Sequence, residues 1–175
     1  MTARATALAA YRIRQFLRGM RSLLSPQEAT QVRALLTDAE LRLFLQMEPR
    51  DRRQAVDVMH WLERRTQPSD DLLVAALLHD AGKGALSVWD RVAFVLLEAL
   101  SPALVDRLAD EYGPRWRRAL WMLRHHARLG AELLAAAGTR PRVVELVARH
   151  AEPLRGPSAE RDPELRWLML ADDAC

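Results

Sequence analysis

An all-α fold is predicted by three features of this chain. Leucine and alanine dominate, β-branched residues are sparse, and apolar positions recur every three or four residues almost throughout. Its 175 residues suit one domain with a substantial core. Ile13, Leu17, Met20 and Leu24 form an apolar stripe beside Arg14, Arg18 and Arg21, the pattern of an amphipathic helix. Ser25-Pro26-Gln27-Glu28 supplies an N-cap, a proline at the first helical position and a capping-box glutamate, and Thr37-Asp38-Ala39-Glu40 repeats the box, so two short helices are expected. Pro49 marks a break before a helix over residues 51–65, and Ser69 caps the next, which runs into His79. Gly82 and Gly84 then loosen the backbone around Lys83. Further helices are expected at about 86–100, 102–112, 115–137 and 141–151, a loop at 153–158, and a last helix opened by Asp162-Pro163 and ending near residue 173.

Charge and cysteine usage narrow the function classes. Acidic and basic residues nearly balance, so the net charge of +3 and the high pI reflect arginine rather than a nucleic-acid surface. Aromatic residues are few, and core packing on one helix accounts for Trp116 and Trp121 without base stacking, so no nucleic-acid partner is expected. With Cys175 as the single cysteine there is no intrachain disulfide and no thiolate metal site, which fits a reducing cytoplasm. No signal-peptide core or membrane-length apolar run is evident, so a soluble cytoplasmic protein without a membrane partner is expected. Oligomeric state is not legible.

Two anomalies point to chemistry. Of 26 basic residues one alone is lysine, Lys83, whose compact ammonium suits a phosphate oxygen in a crowded site, though chance placement stays open. Several histidines and aspartates also occupy positions that helical periodicity assigns to the interior. Asp80 follows Leu73, Ala76 and Leu77, His126 follows Ala119, Met122 and Leu123, His150 follows Val143, Leu146 and Val147, and Asp172 follows Leu165, Leu168 and Met169, each at minus seven, four and three. His79 joins Asp80 at its helix end. Each such group buried without a partner costs several kcal/mol, a large share of the roughly 5–15 kcal/mol that holds a domain folded. Imidazole and carboxylate without thiolate form the ligand set of a hydrolytic divalent-metal site, and convergence on one or two ions accounts for all five, with a purely structural polar network as the alternative. His125 and His60 lie on more polar faces and are not assigned as ligands.

These residues resemble the HD-domain superfamily of metal-dependent phosphohydrolases. Ala75-Ala76-Leu77-Leu78-His79-Asp80-Ala81-Gly82-Lys83 is similar to the apolar run and His-Asp-x-Gly-Lys of that family. His126-Ala127-Arg128-Leu129-Gly130-Ala131-Glu132-Leu133 resembles the His-Pro-x-x-Gly-Ala-x-x-Leu segment of the HDIG-like branch, Arg149-His150-Ala151-Glu152 its His-His-Glu, and Ala171-Asp172-Asp173-Ala174 its closing Ala-Asp. The resemblance covers residues 70–175 and divides the chain into an N-terminal helical extension, 1–48, and an HD-type helical bundle, 49–175. It implies His79, Asp80, His126, His150 and Asp172 as ligands of one or two divalent ions, with manganese, iron, nickel, zinc and magnesium undistinguished. It further implies catalytic roles for Asp80, as a bridging ligand, and for Lys83, which would face phosphate. The implied substrate is a small phosphorylated molecule, nucleotide-like, attacked by metal-activated water.

The chain departs from that pattern in three places. Gln54 stands where the family begins with a histidine ligand; it lies on an apolar face with Val58 and Trp61, so it points at the site as an altered ligand position. His60, six residues on and about 240° round the helix, does not substitute. Ala151 stands where two-metal branches often carry another histidine, and no Gly-Tyr-Pro tail follows Glu152. A degenerate HD module that senses a ligand or binds a partner is therefore the alternative to an enzyme.

Overall fold

All seven residues from Leu72 to Leu78 are buried, and the helix they form is the axis of the molecule. The structure is a computed structural model that describes residues 24–154, 156 and 160–175. The stripe expected over residues 13–24 lies outside these except for Leu24, as do residues 155, 157 and 158 of the expected loop.

Among the described residues there are helices and no strands. In chain order the helices are α1 (Pro26–Leu35), α2 (Asp38–Gln46), α3 (Pro49–Arg65), α4 (Asp70–Leu78), a 3-10 turn (Ala81–Lys83), α5 (Val88–Leu100), α6 (Pro102–Leu108), α7 (Arg115–Ala136), α8 (Pro141–Arg149) and α9 (Pro163–Ala174). Both expected capping boxes form: Ser25 and Thr37 accept from the backbone N–H of Glu28 and Glu40, whose carboxylates accept in return from the cap backbones. A helix buried on all sides must be central. Accordingly α1, α2, α3, α8 and α9 pack around α4, with Val32, Phe44, Met59, Leu77, Leu146 and Leu168 in one shared core.

The boundaries correct the sequence reading in several places. Pro49 occupies the first turn of α3 rather than breaking the chain before it, since a missing N–H is harmless there. A third capping box, Ser87 with Asp90, starts α5 two residues later than expected, and α6 stops at Leu108 instead of residue 112. Trp116 is no core residue: it is 51% exposed, with the Arg117 guanidinium beside its ring, whereas Trp121 is half-buried against His125.

The two glycines around Lys83 differ in purpose. Gly84 has φ of 61°, a conformation that favours glycine, and it ends the 3-10 turn. Gly82 is a point of contact: a Cβ there would lie 2.1 Å from the His126 carbonyl oxygen and 2.4 Å from the Gly130 nitrogen. The 3-10 turn thus presses backbone to backbone on α7, which brings Asp80 and His126 together.

Candidate metal centre

Five elements deliver the cluster, each with a structural cause. His79 is the C-cap of α4, and Asp80 follows at φ −97°, ψ 5°, where the chain leaves the helix for the 3-10 turn. His126 sits mid-helix on α7, His150 ends α8 behind Val143, Leu146 and Val147, and Asp172 lies in the last turn of α9. Gln54 projects from α3. His79, Asp80 and His150 are buried, and Asp172 and His126 open onto the cleft.

All three histidines are oriented in the same way. Nδ1 of His79 donates to the Ala76 carbonyl at 2.9 Å, Nδ1 of His126 to Leu123 at 2.7 Å, and Nδ1 of His150 to Val147 at 2.7 Å. A carbonyl can only accept, so the proton of each neutral ring stands on Nδ1 and the Nε2 lone pair faces inward. There the Nε2 atoms of His126 and His150 meet at 3.2 Å. Burial and the neighbouring Lys83 push His126 down, while burial, reinforced by His79 and His126, pushes His150 down to about 3. Both rings are then neutral at pH 7, and two lone pairs confront each other with no proton between them. The separation is close to the roughly 3.4 Å edge between two nitrogens held tetrahedrally about 2.1 Å from one ion.

The carboxylates complete the pattern. Asp80 Oδ1 is 3.8 Å from His126 Nε2, and Asp80, His126 and His150 each present a donor atom within 4.8 Å of the others. His79 Nε2 lies 3.5 Å from Asp80 Oδ2 and 3.3 Å from Asp172 Oδ1. His79 Nε2 and Asp80 Oδ1 are both buried without a hydrogen-bond partner. Burial alone would lower the His79 pKa, but Asp80 and Asp172 outweigh it and hold it up at about 9. Burial likewise resists the Asp80 charge, yet His79 and Lys83 keep its carboxyl well below the usual range. The orphaned Asp80 Oδ1 and the two opposed lone pairs of His126 and His150 call for positive charge at one point, so these three residues fit a divalent cation, while His79 and Asp172 pair with each other beside it.

Around this point lies a cleft of about 280 Å³, lined by Arg50, Asp51, Gln54, Lys83, Arg91 and Phe94 among others. Lys83 Nζ is 2.5 Å from Asp80 Oδ2, and burial, which opposes its charge, is outweighed by Asp80, Asp172 and Asp51. Gln54 turns its amide nitrogen, not its oxygen, to the cluster, donating to Asp172 Oδ1 at 2.9 Å. As placed it orients a carboxylate and offers no lone pair. His60 bonds Gln31 at 3.2 Å away from the cleft, and His125 lies against Trp121, so neither joins the cluster.

The sequence reading missed the wall of the cleft. Asp51, 2% exposed, holds Arg91 through two bonds of 2.7 and 2.6 Å. A buried aspartate in the first turn of α3 was the available signal, but its partner is 40 residues away on α5.

The central helix of the bundle thus ends in a buried histidine–aspartate pair, joined by imidazole and carboxylate from three more helices. The HD domain family model matches residues 53–174, and the chain belongs to that family, which is generally one of metal-dependent hydrolases. Comparison with curated proteins and with solved structures gives no match. Among the described residues no helix is long and apolar enough to cross a membrane.

Proposed function

We propose that this protein is a metal-dependent phosphohydrolase acting in the cytoplasm on a small, nucleotide-like phosphate ester. The observation that carries it is the confrontation of the His126 and His150 lone pairs beside the orphaned Asp80 Oδ1. His79, Asp80, His126, His150 and Asp172 would hold the ion or ions, within an HD unit spanning 49–175. A divalent ion in such a site supplies a water ionised near neutral pH and polarises a phosphoryl oxygen. Lys83, fixed on Asp80 and facing the cleft, neutralises charge on a non-bridging oxygen. Arg50 lines the same wall beside the Asp51–Arg91 pair, and Phe94 gives an apolar surface for the rest of the substrate.

Elemental analysis after supplying manganese, iron, nickel, zinc or magnesium, with a panel of phosphomonoesters, cyclic nucleotides and dinucleotides, tests this. Asp80→Asn should lose metal and turnover together, and Lys83→Arg should keep metal while losing turnover. A protein that takes up no metal and hydrolyses nothing is not a phosphohydrolase. One observation favours a second reading, a degenerate module for ligand sensing or partner binding: Gln54 engages Asp172 as a donor where the family places a ligand. Nucleotide binding without turnover would support that reading.

A further inference from the structure

Helix α5 turns an apolar face to solvent. None of its 13 residues is buried, and every exposed position on it is apolar. Trp89 is 79% exposed, Leu96 58% and Leu100 81%. At about 100° per residue the exposed positions fill one continuous arc of about 160°, with Val92 and Leu96 at its centre. The charged residues of α5 lie outside that arc and are paired within the chain, Asp90 with Arg115, Arg91 with Asp51 and Glu98 with Arg124. The face can therefore lose its water without stranding a charge. A contiguous apolar patch of this kind marks a surface that something covers.

The pattern of the face is its own complement. Positions 88, 89, 92 and 93 are exposed, and so are their images about residue 94, which are 100, 99, 96 and 95. A second α5 lying antiparallel across a two-fold axis at the height of residue 94 thus meets the first position for position, as an isologous contact requires. In that register Trp89 stands over the partner's Ala99, Val92 over the partner's Leu96 and Val88 over the partner's Leu100. The largest side chain falls on one of the smallest, the arrangement that lets two layers interdigitate. A different protein would be selected by charge, and this face has none to read. Contacts between identical chains are the more apolar kind. Area agrees: Trp89 alone exposes on the order of 200 Å², and with the other exposed positions along roughly 20 Å of helix the face approaches the ~800 Å² per partner of a standard interface.

We propose that two copies of this chain associate through α5, antiparallel about a two-fold axis at the height of residue 94, burying Trp89, Val92, Leu96 and Leu100. The opposite side of α5 carries Arg91 and Phe94 to the cleft, so the pairing backs one cleft wall in each copy. This holds whether or not the cleft is catalytic.

The full chain is tested by sedimentation velocity, with far-UV helicity measured in parallel. The native chain should sediment as a dimer at micromolar concentration. Leu96→Glu and Val92→Lys each place two charges per dimer in an apolar contact, so each should weaken association at least about a hundredfold at unchanged helicity. Mixed in equal amounts, the two variants should return to a dimer, because the antiparallel register sets each new carboxylate against a new ammonium. Trp89 emission, read as the difference between the native protein and Trp89→Phe, should become severalfold harder to quench with acrylamide as the dimer forms. The proposal is overturned if the native chain stays monomeric at tens of micromolar, if Leu96→Glu leaves the dimer intact, or if Trp89 is already shielded in the dissociated monomer. A mixture of the two variants that remains monomeric overturns it equally.

Discussion

Gln54 holds Asp172 through its amide nitrogen, 2.9 Å from Oδ1, so one side chain decides whether the α3 side of the cluster orients a ligand or supplies one. Gln54→His would place an imidazole where the amide now stands, and metal affinity measured by calorimetry should rise at least about tenfold, the scale on which coordination-sphere changes act. Unchanged affinity would mean that α3 never reaches the ion. The sequence made this residue legible because periodicity set it on the apolar face with Val58 and Trp61. It could not show which end of the amide turns inward, since that depends on Asp172, 118 residues away. The same limit hid the pairing of Asp51 with Arg91, whereas His79, Asp80, His126 and His150 each stood out because three apolar neighbours on one helix face announce burial without knowledge of the partner helix.

Between elements, the contact that matters most is the 3-10 turn against α7. Gly82→Ala would set a methyl 2.1 Å from the His126 carbonyl oxygen, and backbone cannot rotate away as a side chain can. The turn must lift, so urea unfolding should show a loss on the order of 3 kcal/mol or more, the range of severe overpacking, and metal binding should weaken with it because Asp80 moves from His126. A stable Gly82→Ala protein would mean the two segments are not so close. Sequence alone assigns Gly82 a loosening role, because a close approach between segments 44 or more residues apart leaves no local trace.

The junction of α1 with α3 gives a pH-dependent counterpart. The Arg53 guanidinium, 2.8 Å from Glu28, with bonds from Ser25, holds the Glu28 carboxyl down at about 2 from an ordinary 4.5. A carboxyl that is more acidic when folded stabilises the fold above its unfolded pKa and loses that contribution as pH falls through its folded value. The stability difference between the native chain and Glu28→Gln should therefore be full above pH 4.5 and shrink as pH falls toward 2. A difference that stays constant across that range would place the effect elsewhere. The group is partly solvated, so the contribution is small, about 1 kcal/mol or less.

At the scale of the molecule, candidate ligands on α4, the following turn, α7, α8 and α9 make metal binding a property of the assembled bundle. An unfolded chain does not gather them, so an ion present at a hundred times its dissociation constant should add about 2.7 kcal/mol, and a chelator should lower the melting temperature accordingly. Equal melting with and without metal would show that the cluster binds none. The all-α class was legible because capping boxes and three-to-four periodicity act within one helix. The exposed apolar face of α5 was not, because its periodic pattern is that of any amphipathic helix and only the neighbours decide which face turns outward.

The hydrogen bonds from each Nδ1 to the carbonyl three residues earlier have one more consequence. Each ring is pinned by the helix that bears it, with no remote side chain to relay the constraint. The proton map of the cluster is therefore written locally, three times over, and survives any surface change that leaves the helix ends intact. Ring nitrogen resonances should report the Nδ1–H form for His126 and His150 even in variants that bind no metal. A displaced ring would then register a displaced helix, so the three imidazoles serve as built-in gauges of how α4, α7 and α8 are seated.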